Sequence, residues 1–182
     1  MTNDPMTNDP MTNDPMTKDP MTKDPMTKDP TKDPMTPDTV VTSERLVDAD
    51  ADTIFELIAD PAQQPRWDGN DNLAEAAPGQ RVRAVGDLFT TTLTMGSDRQ
   101  NHVVDFEEGR RIAWRPSEPG SEPPGHLWRW ELEPRGEATW VRHTYDWSEL
   151  RDPHRLPRAR ATTPERLRAS IDRLAALVER GD

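Results

Sequence analysis

The sequence contains no cysteine, a single tyrosine and only three phenylalanines among its 182 residues. The absence of cysteine excludes disulfide bonds, thiolate zinc sites and thiol nucleophiles, and it is typical of proteins from a reducing compartment. No stretch reaches the roughly 18 apolar residues of a transmembrane helix, and the N-terminus lacks the apolar core of a signal peptide. We therefore expect a cytoplasmic protein that does not insert into membranes.

Basic residues are also scarce, because 23 Lys and Arg stand against 34 Asp and Glu, for a formal net charge of -11. Nucleic acids and anionic membranes are bound through basic patches, so this balance disfavours both classes of partner. The four histidines, at positions 102, 126, 143 and 154, show no metal-ligand spacing, and glycine-rich phosphate loops are lacking. We expect neither a metal nor a cofactor, and the oligomeric state stays open.

The first 38 residues form a low-complexity leader. Residues 1–30 are six pentapeptides, three of Met-Thr-Asn-Asp-Pro and three of Met-Thr-Lys-Asp-Pro, and degenerate copies follow. A period of five with proline in each unit suits neither a helix nor a strand, and methionine is its only apolar residue. The composition predicts a disordered leader, either an interaction tail or an expanded repeat without function, followed by a single domain over residues 39–182.

Large apolar or aromatic residues occupy every second position in successive segments between Phe89 and Trp147. A period of two over several segments predicts half-buried antiparallel strands that share an inner face. The side chains predicted to face inward are Phe89, Thr91, Leu93, Met95, His102, Val104, Phe106, Ile112, Trp114, His126, Trp128, Trp130, Leu132, Val141, His143, Tyr145 and Trp147. Trp140 falls on the opposite face.

The segment before this sheet predicts one strand and two short helices. Val40 to Val47 has the composition of a strand, and Asp50 is placed to cap the helix that follows it. Pro61 ends that helix, and residues 62–67 predict a further short turn of helix. Asp68-Gly69 marks a tight turn, in which turn chemistry is favoured over a role as a catalytic base.

A second amphipathic helix closes the chain. Thr163-Pro164-Glu165 combines a capping residue, a first-turn proline and a first-turn acid. Its apolar stripe is formed by Leu167, Ile171, Leu174 and Val178, and Gly181 follows its end. Residues 151–161, with four arginines, predict a polar connector that either is simply solvated or guides an anionic ligand toward a cavity.

Several phrases of the sequence resemble the SRPBCC (START-like, polyketide cyclase-dehydrase) superfamily over about residues 39–180. They are residues 50–61, Trp67-Asp68-Gly69, Gly86-Asp87-Leu88-Phe89, residues 104–114 and residues 127–130. The resemblance implies an α+β helix-grip fold. In this fold a curved antiparallel sheet of about six to seven strands wraps around a long C-terminal helix and encloses a cavity, and two short helices follow the first strand.

The superfamily includes cyclases, lipid carriers, hormone receptors and chaperone activators, so the resemblance implies a fold more sharply than a function. No residue matches the acid, base or arginine positions of the aromatising cyclases, and no catalytic residue is carried over. Three functions stay open: binding of a small hydrophobic or aromatic ligand, a cyclase- or dehydratase-like activity, and a non-catalytic protein-interaction module. The last requires a filled interior and an exposed apolar patch, for which Trp140 is the only sequence indication.

The ligand-binding hypothesis rests on the number of rings predicted on the inner face, which exceeds the need of a thin packed sheet. The candidate residues are Phe89, Leu93, Met95, His102, Phe106, Trp114, Trp128, Trp130, His143, Tyr145 and Trp147. Of these, His143 and Tyr145 form the main polar pair. They are either hydrogen-bond donors to a ligand oxygen, or an acid and a base, or a structural pair beneath the last helix.

Overall fold

The structure is a computed structural model that describes residues 38–179. Residues 1–37 of the predicted leader and Gly181 lie outside this range, so the disorder predicted for the leader stays a prediction. The elements are β1 (Val40–Val47), α1 (Ala51–Ala59), a 3-10 turn (Pro61–Gln63), α2 (Gln64–Trp67), β2 (Leu73–Glu75), β3 (Leu88–Leu93), β4 (Asp98–Glu107), β5 (Arg111–Ser117), β6 (Leu127–Arg135), β7 (Ala138–Asp146), α3 (Leu156–Arg160) and α4 (Pro164–Val178). No helix among the described residues is long and apolar enough to cross a membrane.

All seven strands form one antiparallel sheet in the order β1-β7-β6-β5-β4-β3-β2. Strands β2 to β7 follow one another as a meander, and β1 returns to pair with β7 along its whole length. The period-two pattern therefore predicted the antiparallel strands β3 to β7 correctly, and successive antiparallel strands pair without the long crossover that parallel strands need. The sheet curves around α4, which is the arrangement that the resemblance implied.

The predicted start of α1 is confirmed. The Asp50 side chain accepts a hydrogen bond from the Thr53 amide at 2.8 Å, as expected for a capping carboxylate. Ile54, Phe55 and Ile58 are buried on one face of the helix. These residues belong to the main core cluster, so the helix is held mainly by this apolar face.

Helix α4 supplies the centre of the core, and its predicted phase is confirmed. Leu167, Ile171 and Leu174 are fully buried, while Val178 is half-buried at the edge of the cluster. The helix also approaches the turn after α2 very closely. The Gly69 amide donates a hydrogen bond to Ser170 Oγ at 2.8 Å. A Cβ at residue 69 would lie 2.5 Å from the Ser170 amide nitrogen, so only glycine fits.

The phase predicted for the first half of β4 is wrong. Val103 is buried and Val104 is exposed, whereas the alternation placed His102 and Val104 inside. The ladder between β4 and β5 is irregular between Val103 and Asp105, which marks a β-bulge. The extra residue restores the predicted phase for Phe106, because a bulge reverses the side-chain alternation that precedes it.

Two further predictions need correction at the ends of elements. Strand β3 ends at Leu93, and Met95 lies in the turn that follows with 73% of its surface exposed. The connector predicted at residues 151–161 contains helix α3, whose Ala159 is buried in a second apolar cluster. That cluster includes Trp147 and Leu167, so the connector packs onto the sheet and α4.

Candidate ligand-binding cavity

A cavity of about 520 Å³ lies between the inner face of the sheet, α2 with its following loop, and the α3 region. This volume falls within the range of about 300–1,000 Å³ that is usual for small-molecule sites. The side chains that line it come from β2 to β7, from helices α2, α3 and α4, and from the loops between them. They are Gln64, Trp67, Asp68, Asn70, Asn72, Leu73, Thr91, Leu93, Arg99, Asn101, Trp114, Pro116, Glu118, His126, Trp128, Trp130, His143, Tyr145, Leu150, Asp152, His154, Arg155, Arg158, Ala159, Thr162 and Arg166.

Two stacked ring pairs form one wall of the cavity, here called the aromatic wall. The register of β6 and β7 sets Trp128 opposite Tyr145 and Trp130 opposite His143. The Trp130 and His143 rings are 3.8 Å apart at their centroids and nearly parallel, at 11°. The Trp128 and Tyr145 centroids are 4.2 Å apart. Directly opposed residues on one sheet face are close enough for such contacts, so strand register alone builds the wall.

Six of the eleven candidate residues line the cavity, and five lie elsewhere. Those in the lining are Leu93, Trp114, Trp128, Trp130, His143 and Tyr145. Phe89 and Phe106 are in the packed core, where they contact Trp114 and Phe55 respectively. Trp147 belongs to the second apolar cluster, and Met95 is exposed. His102 lies against Ser117, with 2.9 Å between His102 Nε2 and Ser117 Oγ.

The candidate list missed most of the polar lining. Thr91 shares the inner face predicted for β3, so the alternation pointed to it although it is not aromatic. Asn101 is inside because of the bulge in β4, which no sequence signal announced. The lining residues of the α3 region fall in the segment predicted as a polar connector. Its arginines allowed a role in guiding an anionic ligand, but no contact with a cavity was predicted for individual residues. Apolar periodicity detects rings well and polar cavity residues poorly.

The Asp68 side chain forms hydrogen bonds within the turn that follows α2, as predicted. Its carboxylate accepts hydrogen bonds from the Asn70 amide at 3.1 Å and from the Asn72 amide at 3.0 Å. The Arg173 guanidinium donates to the Asp68 carbonyl oxygen. The carboxylate oxygens are thus used as hydrogen-bond acceptors within the loop. Asp68 therefore shapes one side of the cavity and is a poor candidate for a base.

Burial favours the neutral forms of three titratable side chains that line the cavity. Burial lowers the pKa of His143 to about 3, and the backbone of Leu167 opposes this shift only in part. Burial, together with the positive charges of Arg155, Arg158 and Arg99, lowers the pKa of His126 to about 4. Burial also raises the pKa of Tyr145 to about 12. At neutral pH these groups are uncharged hydrogen-bonding groups.

The neutral His143 predicts a loss of stability in acid. Unfolded histidine binds its proton near pH 6.5, but folded His143 does so only at about pH 3. The neutral ring therefore contributes its full share of the unfolding free energy above about pH 6.5. Below that pH the unfolding free energy falls by about 1.4 kcal/mol per pH unit. We expect His143→Gln to reduce by about this amount the slope of unfolding free energy against pH between about pH 6 and 5. Denaturant unfolding at several pH values measures the slope. The parent protein, unfolded over the same pH range, supplies the reference slope. An unchanged slope in His143→Gln would show that the ring is protonated in the folded protein.

Four arginines line the cavity together with the aromatic wall: Arg99, Arg155, Arg158 and Arg166. Arg155 is neutralised, since it donates to Glu118 at 3.0 Å and to Asp152 at 3.2 Å. The other three form no ion pair with any carboxylate among residues 38–179. The region formed by these four residues is called the arginine mouth below.

The described part of the chain brings no three His, Asp or Glu side chains together as a metal site.

The sequence matches, over residues 38–179, the family model described as polyketide cyclase / dehydrase and lipid transport. The chain belongs to this family. A search of curated proteins finds no significant match to the sequence. The family assignment and the helix-grip fold agree with the resemblance that the sequence motifs carry.

Solved structures give the same fold. Protein MLL2253 from Mesorhizobium loti superposes with a TM-score of 0.59 at 17% identity, covering 79% of this chain and 98% of that chain. The Aha1 dimer from Colwellia psychrerythraea gives a TM-score of 0.55 at 14% identity, with 79% and 98% covered. DynU16, from the dynemicin biosynthetic locus, gives 0.56 at 23% identity, with 80% of this chain and 49% of that chain covered. At these identities the likeness establishes the fold and no activity.

Proposed function

We propose that this member of the polyketide cyclase / dehydrase and lipid transport family binds a small hydrophobic or aromatic molecule in its cavity. The observation that carries the proposal is the open space of about 520 Å³ directly over the aromatic wall. A sheet packed for stability alone would bring its helices onto the rings of Trp128 and Tyr145. Here those rings face the cavity, where a planar apolar ligand gains stacking contacts.

Tyr145 supplies a polar contact for such a ligand. Its ring is buried at 5% exposure, yet its hydroxyl makes no hydrogen bond to any described residue. The hydroxyl oxygen itself is accessible to solvent. It is therefore reached from the cavity and is free to donate to a ligand oxygen. A single fixed donor above an apolar wall is the usual way in which such sites orient a ligand.

A cyclase- or dehydratase-like activity is the second candidate, because His126, His143 and Tyr145 converge on one cavity. Their pKa values argue for hydrogen bonding rather than proton transfer. General acids and bases work best with a pKa near the working pH, whereas those of His143 and Tyr145 are about 3 and about 12. An enzyme built on this site would orient and polarise a carbonyl. An interaction module of the Aha1 type is disfavoured by the unfilled interior.

Replacing Tyr145 by phenylalanine tests the proposal. We expect Tyr145→Phe to keep the unfolding free energy within about 1 kcal/mol of the parent, because no intramolecular hydrogen bond is lost. The affinity for prodan, a neutral naphthyl ketone whose fluorescence reports its surroundings, should fall by roughly threefold to tenfold. Fluorescence titration measures the affinity, and urea unfolding measures the stability.

Two results would refute this prediction. A strong loss of stability with unchanged prodan binding would show that Tyr145 is structural. Trp128→Ala removes the exposed part of the aromatic wall and should abolish most prodan binding. If it leaves the affinity unchanged, the probe binds elsewhere and the cavity is not the site. Trp140→Ala, on the outer sheet face, is the matched control and should bind prodan like the parent.

A further inference from the structure

We propose that the ligand is an amphipathic acid, whose anionic head group is held by Arg99 and Arg158 at the arginine mouth while its apolar body lies on the aromatic wall. This inference rests on the proposed function and adds the chemical class of the ligand. It follows from the distribution of charge around the cavity.

Two arginines of the mouth, Arg99 and Arg158, have no carboxylate partner among the described residues, whereas Arg155 is paired with Glu118 and Asp152. Elsewhere the arginines are mostly paired, as in the contacts of Arg81 with Glu56 and Glu108 and of Arg142 with Glu44. Arg99 and Arg158 have no such partner within residues 38–179, although acidic residues outnumber basic ones in the sequence.

The acidic groups of the lining do not cancel this charge. Asp68 is bound by loop amides on the α2 side of the cavity. Glu118 and Asp152 both accept hydrogen bonds from the same residue, Arg155, and Glu118 only partly offsets the positive field at Arg99. The remaining cations are in excess, so an anion that enters the mouth gains Coulomb energy and charge-assisted hydrogen bonds.

The positive charges act on one another and on the aromatic wall. Burial and the positive charges of the neighbouring Arg155 and Arg158 lower the pKa of Arg99, which still carries its charge at neutral pH. The same two arginines oppose the effect of burial on the pKa of Tyr145. An anionic group bound between Arg99 and Arg158 would offset this repulsion between the positive charges.

The geometry also fixes the polarity of the ligand. His126 lies between the arginine mouth and the aromatic wall, with its ring centroid 6.0 Å from that of Tyr145. Beyond Tyr145 the wall continues through Trp128 to Trp130, which is fully buried. A head group at Arg99 and Arg158 thus leaves the body of the molecule over the aromatic wall, whose far end at Trp130 is fully buried. Arginine suits the head group, because its planar guanidinium binds a carboxylate through two parallel hydrogen bonds.

Two probes that share one apolar body test the inference. Anilinonaphthalene sulfonate carries an anionic group, and phenylnaphthylamine is the same molecule without it. We expect the parent protein to bind the sulfonate more tightly, and this preference should weaken as salt is added. The double variant Arg99→Gln, Arg158→Gln should bind the sulfonate at least about tenfold more weakly and phenylnaphthylamine within about twofold of the parent.

The matched control is Arg151→Gln, Arg160→Gln. It removes the same charge from two exposed arginines that are close to Arg158 in the sequence but do not line the cavity. It should leave the ratio of the two affinities unchanged. Equal losses of sulfonate binding in both double variants would attribute the effect to a diffuse field and overturn the inference. So would an unchanged ratio of affinities in Arg99→Gln, Arg158→Gln.

Failure of this inference and failure of the proposed function give different results. If phenylnaphthylamine binds, Trp128→Ala abolishes that binding and the arginine variants do not change the ratio, the cavity binds apolar molecules and the assigned head group is wrong. If neither probe binds, or Trp128→Ala has no effect on either probe, the cavity itself is not the binding site and both proposals fall.

Discussion

Replacing Trp130 by alanine is expected to destabilise the protein by about 3–5 kcal/mol and to abolish ligand binding. Trp130 is fully buried, stacks on His143 and meets the Trp67 ring edge to face at 5.2 Å between centroids. Its indole nitrogen has no hydrogen-bond partner among the described residues, so the loss is one of packing alone. The neighbouring rings are held by strands and by α2, and they cannot move in to fill the space. Urea unfolding measures the destabilisation.

The control for this change is Trp140→Ala. Trp140 is half-buried on the opposite face of the sheet, where the Arg135 guanidinium lies 5.0 Å from its ring centroid. Its loss should destabilise the protein by less than about 2 kcal/mol, because little apolar surface is removed from a packed interior. Similar losses of stability for Trp130→Ala and Trp140→Ala would mean that the faces of β6 and β7 have been assigned wrongly.

The second large effect is expected at Ile171 in helix α4. Ile171→Ala should lower the unfolding free energy by about 2–5 kcal/mol, since the side chain is completely buried in the main core cluster. The lost methyl groups leave a cavity at the centre of the helix that the sheet surrounds. Ile171 does not line the cavity, so a folded fraction of this variant should still bind prodan. Denaturant unfolding followed by tryptophan fluorescence measures the difference.

Arg168→Ala is the matched control on the same helix. Arg168 is about half exposed; it pairs with Asp172 at 2.9 Å and donates to the Glu44 carbonyl oxygen at 3.3 Å. Exposed ion pairs of this kind contribute about 0–1 kcal/mol, so the expected loss is small. Equal destabilisation by Ile171→Ala and Arg168→Ala would contradict the helix phase and, with it, the placement of α4 in the core.

The strands and the two main helices could be predicted because their signals are local. Asp50 caps α1 three residues from its partner amide, and the Leu167, Ile171 and Leu174 stripe follows the period of a helix. The aromatic wall was likewise predictable, since Trp128, Trp130, His143 and Tyr145 alternate on adjacent strands. Such patterns depend only on the geometry of one strand or helix, so the amino-acid order carries them completely.

Errors arose where the backbone departs from regular geometry. The bulge at Val103 to Asp105 inserts one residue into β4 and exchanges the faces of the residues before it. The turn after Leu93 likewise removes Met95 from the sheet. Neither departure changes the composition of the segment, and a period-two pattern extends through both without interruption.

The sequence by itself determined the fold class, the family resemblance and the residues of the aromatic wall. The tertiary structure decided that this wall borders a cavity and that Arg99 and Arg158 stand at its mouth without counter-ions. The physical reason is that a cavity forms only where side chains from several parts of the chain leave a space unfilled. Whether a ring meets another side chain or open space depends on residues that are distant along the chain, such as those of α2 and α3. Only their packing together sets the volume, the burial and hence the electrostatics of the site.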